Sequence, residues 1–200
     1  MCGISGVYHF NNSKKIGESE LVKMRDTLIH RGPDDAGTYI SSDQKIGFGN
    51  RRLKIIDLST AGHMPMTDTK KRAWITFNGE IYNFRDLKKN LETKGYEFKS
   101  QTDTEVVLNS YLEWGDDCVK RFNGMFAFVI WDETKKILFA ARDHLGIKPF
   151  YYVVQNGTFY FGSEIKAILA HPDFKKELDY EGLSHYLTFG STPAPYTLFK

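Results

Sequence analysis

Hydrophobic and polar positions change period along this chain, and the changes mark its elements. Residues 2–10 read as a strand, small-sided at first and aromatic at Tyr8 and Phe10. After a turn at Asn11-Asn12-Ser13, Leu21, Met24 and Leu28 recur at helical spacing from a start near Ser19. His30 and Arg31 sit at that helix's end, and Gly32-Pro33 stops it. A polar turn over 34–37 leads to a short strand at 38–40, and Ile46, Phe48, Leu53 and Ile55 mark hairpin-like strands before a loop from Ser59 to Met66. Residues 73–77 form a strand that runs into Asn78-Gly79-Glu80, a pair read as ending the strand ahead of a helix.

Phe84, Leu87 and Leu91 mark that helix, which Gly95 closes. Thr102-Asp103-Thr104-Glu105 matches a capping box, and Val107, Leu108, Tyr111 and Leu112 follow on the helix behind it. From Asn123-Gly124 onward the pattern is that of strands. Residues 125–131 are almost unbroken apolar, as for a strand covered on both faces, and 137–141 pairs with it across a turn at 133–136. Residues 150–154 and 158–161 flank Asn156-Gly157, a two-residue hairpin signal. Short helices start after Ser163 and after Asp179, and Thr192-Pro193-Ala194-Pro195 reads as a linker. Strands joined by short turns pair antiparallel, and here they come in blocks flanked by helices. That order predicts an α+β layered domain rather than a doubly wound parallel sheet.

Composition narrows the function classes. The 200 residues suit one large domain or two small ones, with 41% hydrophobic and 14% aromatic residues to build a core. A formal net charge of +2 gives no long-range field to steer nucleic acid or an anionic membrane, and no apolar run has transmembrane length. The two cysteines, Cys2 and Cys118, make no disulfide framework, so a reducing cytoplasm is expected and Cys118 reads as a small buried hydrophobe. The six histidines, at 9, 30, 63, 144, 171 and 185, show no metal spacing, and none is expected to hold a metal.

Four stretches carry candidate chemistry. Cys2 lies directly behind Met1, and Gly3 and Gly6 let backbone approach a substrate closely. Trimming Met1 would leave a thiol beside a free α-amine. With a pKa of roughly 7.7–8.0, about one amine in eight is neutral at pH 7 and able to take the thiol proton. Asn78-Gly79 offers a side-chain amide beside an unhindered backbone N–H, a suitable donor pair for an oxyanion. A free α-amino acid needs a cation for its carboxylate and an anion for its ammonium. Arg52 and Asp103 are complementary candidates, although Arg52 also fits a solvated strand edge and Asp103 a helix-start acid.

Taken in order, these stretches form a constellation. Met1-Cys2-Gly3-Ile4, Arg31-Gly32-Pro33-Asp34-Asp35-Ala36-Gly37, Arg52-Leu53, Asn78-Gly79-Glu80 with Ile81-Tyr82-Asn83, and Thr102-Asp103-Thr104-Glu105 come first. Gly124-Met125-Phe126-Ala127-Phe128 and Arg142-Asp143-His144-Leu145-Gly146-Ile147-Lys148-Pro149 follow. Across residues 1–200 the chain resembles the class II (type 2) glutamine amidotransferase domain, an N-terminal-nucleophile hydrolase. Its nearest likeness is to the glutaminase half of glutamine-hydrolysing asparagine synthetases.

The resemblance implies a four-layer αββα sandwich of two mainly antiparallel sheets. It implies Cys2 as nucleophile with its α-amine as base, and Asn78 and Gly79 as the oxyanion hole. Arg52 takes the glutamine carboxylate, with Arg51 as the fallback because the family usually has a single Arg before Leu. Asp103 and Glu80 take the ammonium and polar groups, and backbone around Ile55 and Ile56 closes the pocket.

The implied reaction converts glutamine to glutamate and ammonia through a Cys thioester. The ammonia serves an ATP-dependent conversion of aspartate to asparagine in a C-terminal synthetase domain expected beyond these residues, since the domain itself reads as stopping within its closing elements. No cofactor is implied for this domain, and ATP and Mg only for the synthetase domain. A homodimer, another ammonia acceptor (a surface sugar or a secondary metabolite) and a non-catalytic glutamine-binding module remain open alternatives.

Overall fold

The nine-residue strand at 124–132 is covered on both faces, because its apolar side chains alternate between two different neighbours. In the computed structural model, which describes residues 1–200, Phe126, Phe128 and Ile130 pack toward helices on one face. Ala127, Val129 and Trp131 pack toward a second sheet on the other. A strand buried on both faces has no polar side to alternate with, which is why the sequence there is nearly all apolar.

The elements, in chain order, are β1 (Gly3–His9), α1 (Glu18–Asp26), β2 (Asp35–Ile40), β3 (Ile46–Arg52), β4 (Met66–Thr67), β5 (Ala73–Ile81), α2 (Phe84–Thr93) and α3 (Asp103–Trp114). They continue with β6 (Gly124–Asp132), β7 (Ile137–Arg142), β8 (Tyr151–Gln155), β9 (Thr158–Gly162), α4 (Ile165–Leu169) and α5 (Tyr180–Phe189). One sheet has the order β2-β3-β1-β9-β8 and the other β4-β5-β6-β7, and every pairing is antiparallel. Helices α1 and α4 cover the first sheet, and α3, backed by α2, covers the second. The layers therefore run α-β-β-α, the expected α+β sandwich. No helix is long and apolar enough to cross a membrane.

Between the sheets, Ile4, Phe48 and Phe161 of the first meet Ala127, Val129 and Trp131 of the second. Polar ties also cross this layer: Asn50 Nδ2 donates to Thr76 Oγ1 at 3.1 Å, and Thr76 Oγ1 lies 3.5 Å from the Gly49 carbonyl. The β8–β9 hairpin has the expected two-residue turn, with φ of 51° at Asn156 and 69° at Gly157, the left-handed conformations that favour these residues. Cys118 is fully buried among core residues, as a small hydrophobe would be.

Several boundaries differ from the sequence reading. Helix α1 ends at Asp26 rather than at Arg31. Leu28, Ile29 and Arg31 donate to the carbonyls three residues before them, so the last turn tightens while Leu28 still reaches the core. The strand before residue 40 starts at Asp35, because residues 35–40 pair along β3. Leu53 and Ile55 lie outside any strand, in a loop beyond the end of β3.

Thr102 does cap α3, accepting from the Glu105 N–H at 3.3 Å, but the reciprocal half of the capping box is missing. Glu105 instead accepts from the N–H groups of Lys99 and Ser100. Residues 192–195 are no linker either. The chain turns back there so that Leu178 and Phe199 bridge and Asp179 N–H donates to the Leu198 carbonyl.

Phe48 is fully buried in the layer between the sheets, among the apolar side chains of both. Phe48→Ala should destabilise the domain by about 3–5 kcal/mol. Urea denaturation of wild type and variant measures this; a shift below about 1 kcal/mol would mean that the sheets close over the void.

Candidate active site

Residue 2 is held by the strand that follows it. β1 lies between β3 and β9, and its first residue, Gly3, pairs with Arg51. Ile4 is pinned from both sides of its peptide: its N–H donates to Ser163 Oγ at 3.0 Å, and its carbonyl accepts from Ser163 N–H at 2.8 Å. The Cys2 carbonyl accepts from Arg31 Nε at 3.1 Å, and Arg31 is itself paired with Glu164 at 3.0 Å. The thiol then projects into a cavity of about 140 Å³. Leu53 N–H points at Sγ from 3.4 Å. Burial pushes the Cys2 thiol up from its ordinary value, and the Leu53 N–H, the terminal charge and Arg52 only partly offset this. A proton acceptor is therefore needed before the sulfur can attack anything.

Facing Cys2 across the cavity is β5, and here the structure corrects the sequence reading. Asn78-Gly79 does not end a strand: β5 continues to Ile81, with Asn78 opposite Ala127 and Gly79 opposite Phe126. The glycine is required by packing. A Cβ at Gly79 would stand 2.6 Å from the Met125 carbonyl oxygen and 2.8 Å from Phe126 Cα.

Strand β4 is only two residues long and pairs with Ile75 and Trp74, so β5 has an open edge from Thr76 onward. Tyr82 N–H points toward the β6 side, to Asn123 O, whereas Ile81 N–H points the other way and donates to Asp103 Oδ2 at 2.9 Å. Alternation along a strand then turns Gly79 N–H to the same open edge as Ile81 N–H. The Asn78 side chain is buried in the same wall, and its Nδ2 has no hydrogen-bond partner. A buried amide donor without an acceptor costs about 1–3 kcal/mol, and such a group needs a reason.

The remaining wall is charged. Burial pushes the Asp103 carboxyl up to about 6, and nearby Glu80 adds to this, while the N–H groups of Ile81 and Thr104 pull it back. Arg52 lines the cavity, whereas Arg51 turns away, with Nε on the Gly32 carbonyl at 3.1 Å and Nη1 3.5 Å from Asp26. The Arg52 guanidinium is oriented by the loop beyond β3, through the carbonyls of Ser59 (3.1 Å) and Asp57. That loop also carries Ile55 and Ile56 to the cavity rim, with Ile55 66% exposed.

Every residue singled out from the sequence, from Cys2 through Arg52, Ile55, Ile56, Asn78, Gly79 and Glu80 to Asp103, thus lines one cavity. Sequence reasoning gave no role to Arg31, to the Leu53 backbone or to Lys148. Arg31 and Lys148 stood within motifs that were noted but not interpreted. A backbone N–H leaves no mark in a sequence. A larger cavity of about 310 Å³, between β8, α4 and the C-terminal segment, is lined mainly by apolar groups such as Ile165, Ile168 and Phe174 and holds neither cysteine. No group of three or more His, Cys, Asp or Glu side chains is arranged to hold a metal ion.

Comparison with known proteins agrees in one direction. The family described as "Glutamine amidotransferase domain" matches residues 1–200. Asparagine synthetase [glutamine-hydrolyzing] 3 of Bacillus subtilis is 46% identical over 203 residues, which span 100% of this chain and 33% of that protein. Putative asparagine synthetase [glutamine-hydrolyzing] 2 of Methanocaldococcus jannaschii is 42% identical over 220 residues, 100% of this chain and 41% of the relative. The chain therefore spans well under half the length of these curated relatives. Among solved structures, the glutamine phosphoribosylpyrophosphate amidotransferase of B. subtilis shares the fold. Its TM-score is 0.70 at 17% identity, covering 89% of this chain and 45% of that one.

The raised Asp103 carboxyl has a consequence for stability. Its folded value, about 6, lies above the roughly 3.9 of an unfolded aspartate. The folded state therefore binds this proton more tightly, and the associated stability is fully present below about pH 4 and lost as pH rises through 6. Asp103→Asn should accordingly leave stability near pH 4 almost unchanged and raise it at pH 8, by up to about 3 kcal/mol. Paired urea titrations at the two pH values decide this; an equal effect at both would show that the carboxyl is not titrating between them.

Proposed function

Because this chain belongs to the glutamine amidotransferase domain family, we propose that Cys2, freed of Met1, hydrolyses the side-chain amide of glutamine to glutamate and ammonia. The neutral α-amine takes the thiol proton, and the thiolate attacks the amide carbon. The tetrahedral oxyanion accepts hydrogen bonds from Asn78 Nδ2 and Gly79 N–H. The carbon–nitrogen bond then breaks, with the amine's proton passing to the leaving nitrogen, which departs as ammonia. A γ-glutamyl thioester remains on Cys2, and water attacks its carbonyl to release glutamate and restore the thiol.

One observation carries this reading. The buried Asn78 Nδ2 has no acceptor within the protein, and it stands in the wall that faces the only cavity-lining thiol. A donor kept unsatisfied in the resting state is suited to a charge that develops only during reaction. Recognition of the free amino acid follows from the opposite charges at either side. Arg52 meets the carboxylate, Asp103 and Glu80 meet the ammonium, and the loop bearing Ile55 and Ile56 covers the bound molecule.

The relatives' names support a wider role. In a longer protein the ammonia would serve asparagine synthesis, as those names indicate; the family resemblance further implies aspartate as acceptor and a synthetase domain using ATP and Mg. Ammonia released into water at neutral pH is protonated and loses its nucleophilicity, so it must be used where it is made. A cytoplasmic setting suits the two unpaired cysteines. A different acceptor is the second reading. It is favoured by a further relative, Amidase chry2 of Gibberella zeae, which is 37% identical over 179 residues, 85% of this chain and 26% of that protein.

The amine can act as base only when residue 2 is the N-terminus. Protein with Met1 or a tag retained should release no ammonia from glutamine, and protein trimmed to Cys2 should release it. Mass spectrometry of the N-terminus alongside an ammonia-release assay tests this, and full activity with Met1 attached would sink the mechanism. In the trimmed protein Cys2→Ala should bind glutamine without turnover.

Asn78→Ala should lower kcat by about 10²–10³ while KM moves little, because the donor acts on charge absent from the ground state. Steady-state kinetics will tell; an unchanged kcat removes Asn78 from the mechanism.

A further inference from the structure

Lys148 has no part in the chemistry described so far, yet it lines the same cavity as Cys2, Asn78 and Glu80 and is only 4% exposed. A buried ammonium normally stands against a carboxylate. Lys148 forms no ion pair, and the one polar neighbour of its Nζ is Sδ of Met1, 3.1 Å away, a weak acceptor.

Its placement is built rather than incidental. Asp143 Oδ2 accepts the Lys148 N–H at 3.0 Å and the Phe126 N–H at 3.2 Å, and Oδ1 accepts those of Leu145 and Ile147. Arg142 Nε donates to the Lys148 carbonyl at 2.7 Å. A loop fixed by five hydrogen bonds thus delivers a cation to the sulfur of the very residue whose removal activates the site.

On the reading given above, loss of Met1 removes that sulfur and leaves a free α-amino group on residue 2. We propose that Lys148 is a positioning residue that sets the proton balance of Cys2, its positive charge favouring the neutral amine and the ionised thiol over the ammonium and the thiol. A like charge nearby disfavours protonation of an amine and favours ionisation of a thiol, so both effects raise the reactive population.

Other charged groups also face the site, and Lys148 differs from the cations among them in having neither a carboxylate nor a carbonyl partner. Arg31, beyond α1, is paired with Glu164, and Arg52 on β3, whose charge also lowers the Cys2 thiol, is held by the loop carbonyls. Asp143 is saturated by backbone N–H groups, Asp103 on α3 acts in the opposite sense on the thiol, and Glu80 on β5 acts on the Lys148 ammonium. Burial and Arg31 lower the Lys148 ammonium itself, with Glu80, Cys2 and Asp143 opposing.

The test compares trimmed wild type, K148M, K148Q and K148R, each checked for folding by thermal melting. Two pH profiles are recorded: kcat/KM for glutamine hydrolysis, and the rate of Cys2 alkylation by iodoacetamide. In K148M and K148Q the acidic limb of both should move up by about one pH unit. That is about a tenfold loss near pH 6 that largely recovers near pH 9. K148R, which keeps the charge, should follow wild type. Superimposable profiles in K148M and wild type, or a loss equal at every pH and shared by K148R, would overturn the proposal. If trimmed wild type releases no ammonia, the glutaminase reading fails, and the alkylation profiles still decide the role of Lys148.

Discussion

Everything at this site depends on β1 being an interior strand. The first residues of a chain are ordinarily frayed, because nothing constrains them on one side. Here the ladder with β3 reaches back to Gly3, the ladder with β9 takes up from Ser5, and Ser163 holds both polar groups of Ile4. The Arg31 guanidinium adds a hold on the Cys2 carbonyl itself. A terminal residue is thereby given the fixity of a mid-sheet residue while its amino end remains at a cavity mouth. The proposed mechanism, in which the base would be the α-amine of residue 2 itself, needs that combination.

Opposite this strand, the domain leaves polar groups incompletely satisfied in one small volume. The Cys2 thiol and the Asp103 carboxyl are pushed up by burial, the Lys148 ammonium is pushed down, and Asn78 Nδ2 has no acceptor. Each is unfavourable for folding taken alone. On the proposed function, these groups would meet a ligand with a carboxylate, an ammonium and a carbonyl that acquires charge. The apolar layer between the sheets and the core beneath α3 offset this cost, since both are continuous and close-packed.

Much of this was legible along the chain because it rests on local signals. The apolar run from Met125 to Trp131 suggests a doubly covered strand, and Asn156-Gly157 is a strong signal for the turn that pairs β8 with β9; both are present. Where non-local pairing decided the outcome, local reading failed. Asn78-Gly79 looked like a strand end because glycine weakens a strand, but β6 pairs with β5 through Ile81 and closes over Gly79. Leu53 and Ile55 continued an alternating pattern, yet pairing ends at Arg52 and the alternation carries no ladder. The last turn of α1 shortened for a similar reason, with tighter hydrogen bonds delivering Leu28 to the core before Arg31 turns to residue 2.

The sequence by itself determined which chemical groups are available and the layered α+β class, because side-chain type and hydrophobic period are properties of the chain alone. It supplied a thiol at position 2, an amide followed by glycine, and one acid and one base of opposite charge. Only the tertiary structure decided that these face one another. It chose Arg52 over Arg51 for the cavity, since neighbours on a strand point to opposite faces and only the sheet's packing says which face is inward. It turned the Gly79 N–H to an open edge, because β4 is too short to pair with it. It also brought Lys148 beside Met1 across 147 positions of sequence, a proximity fixed by the Asp143 loop and invisible to any local pattern.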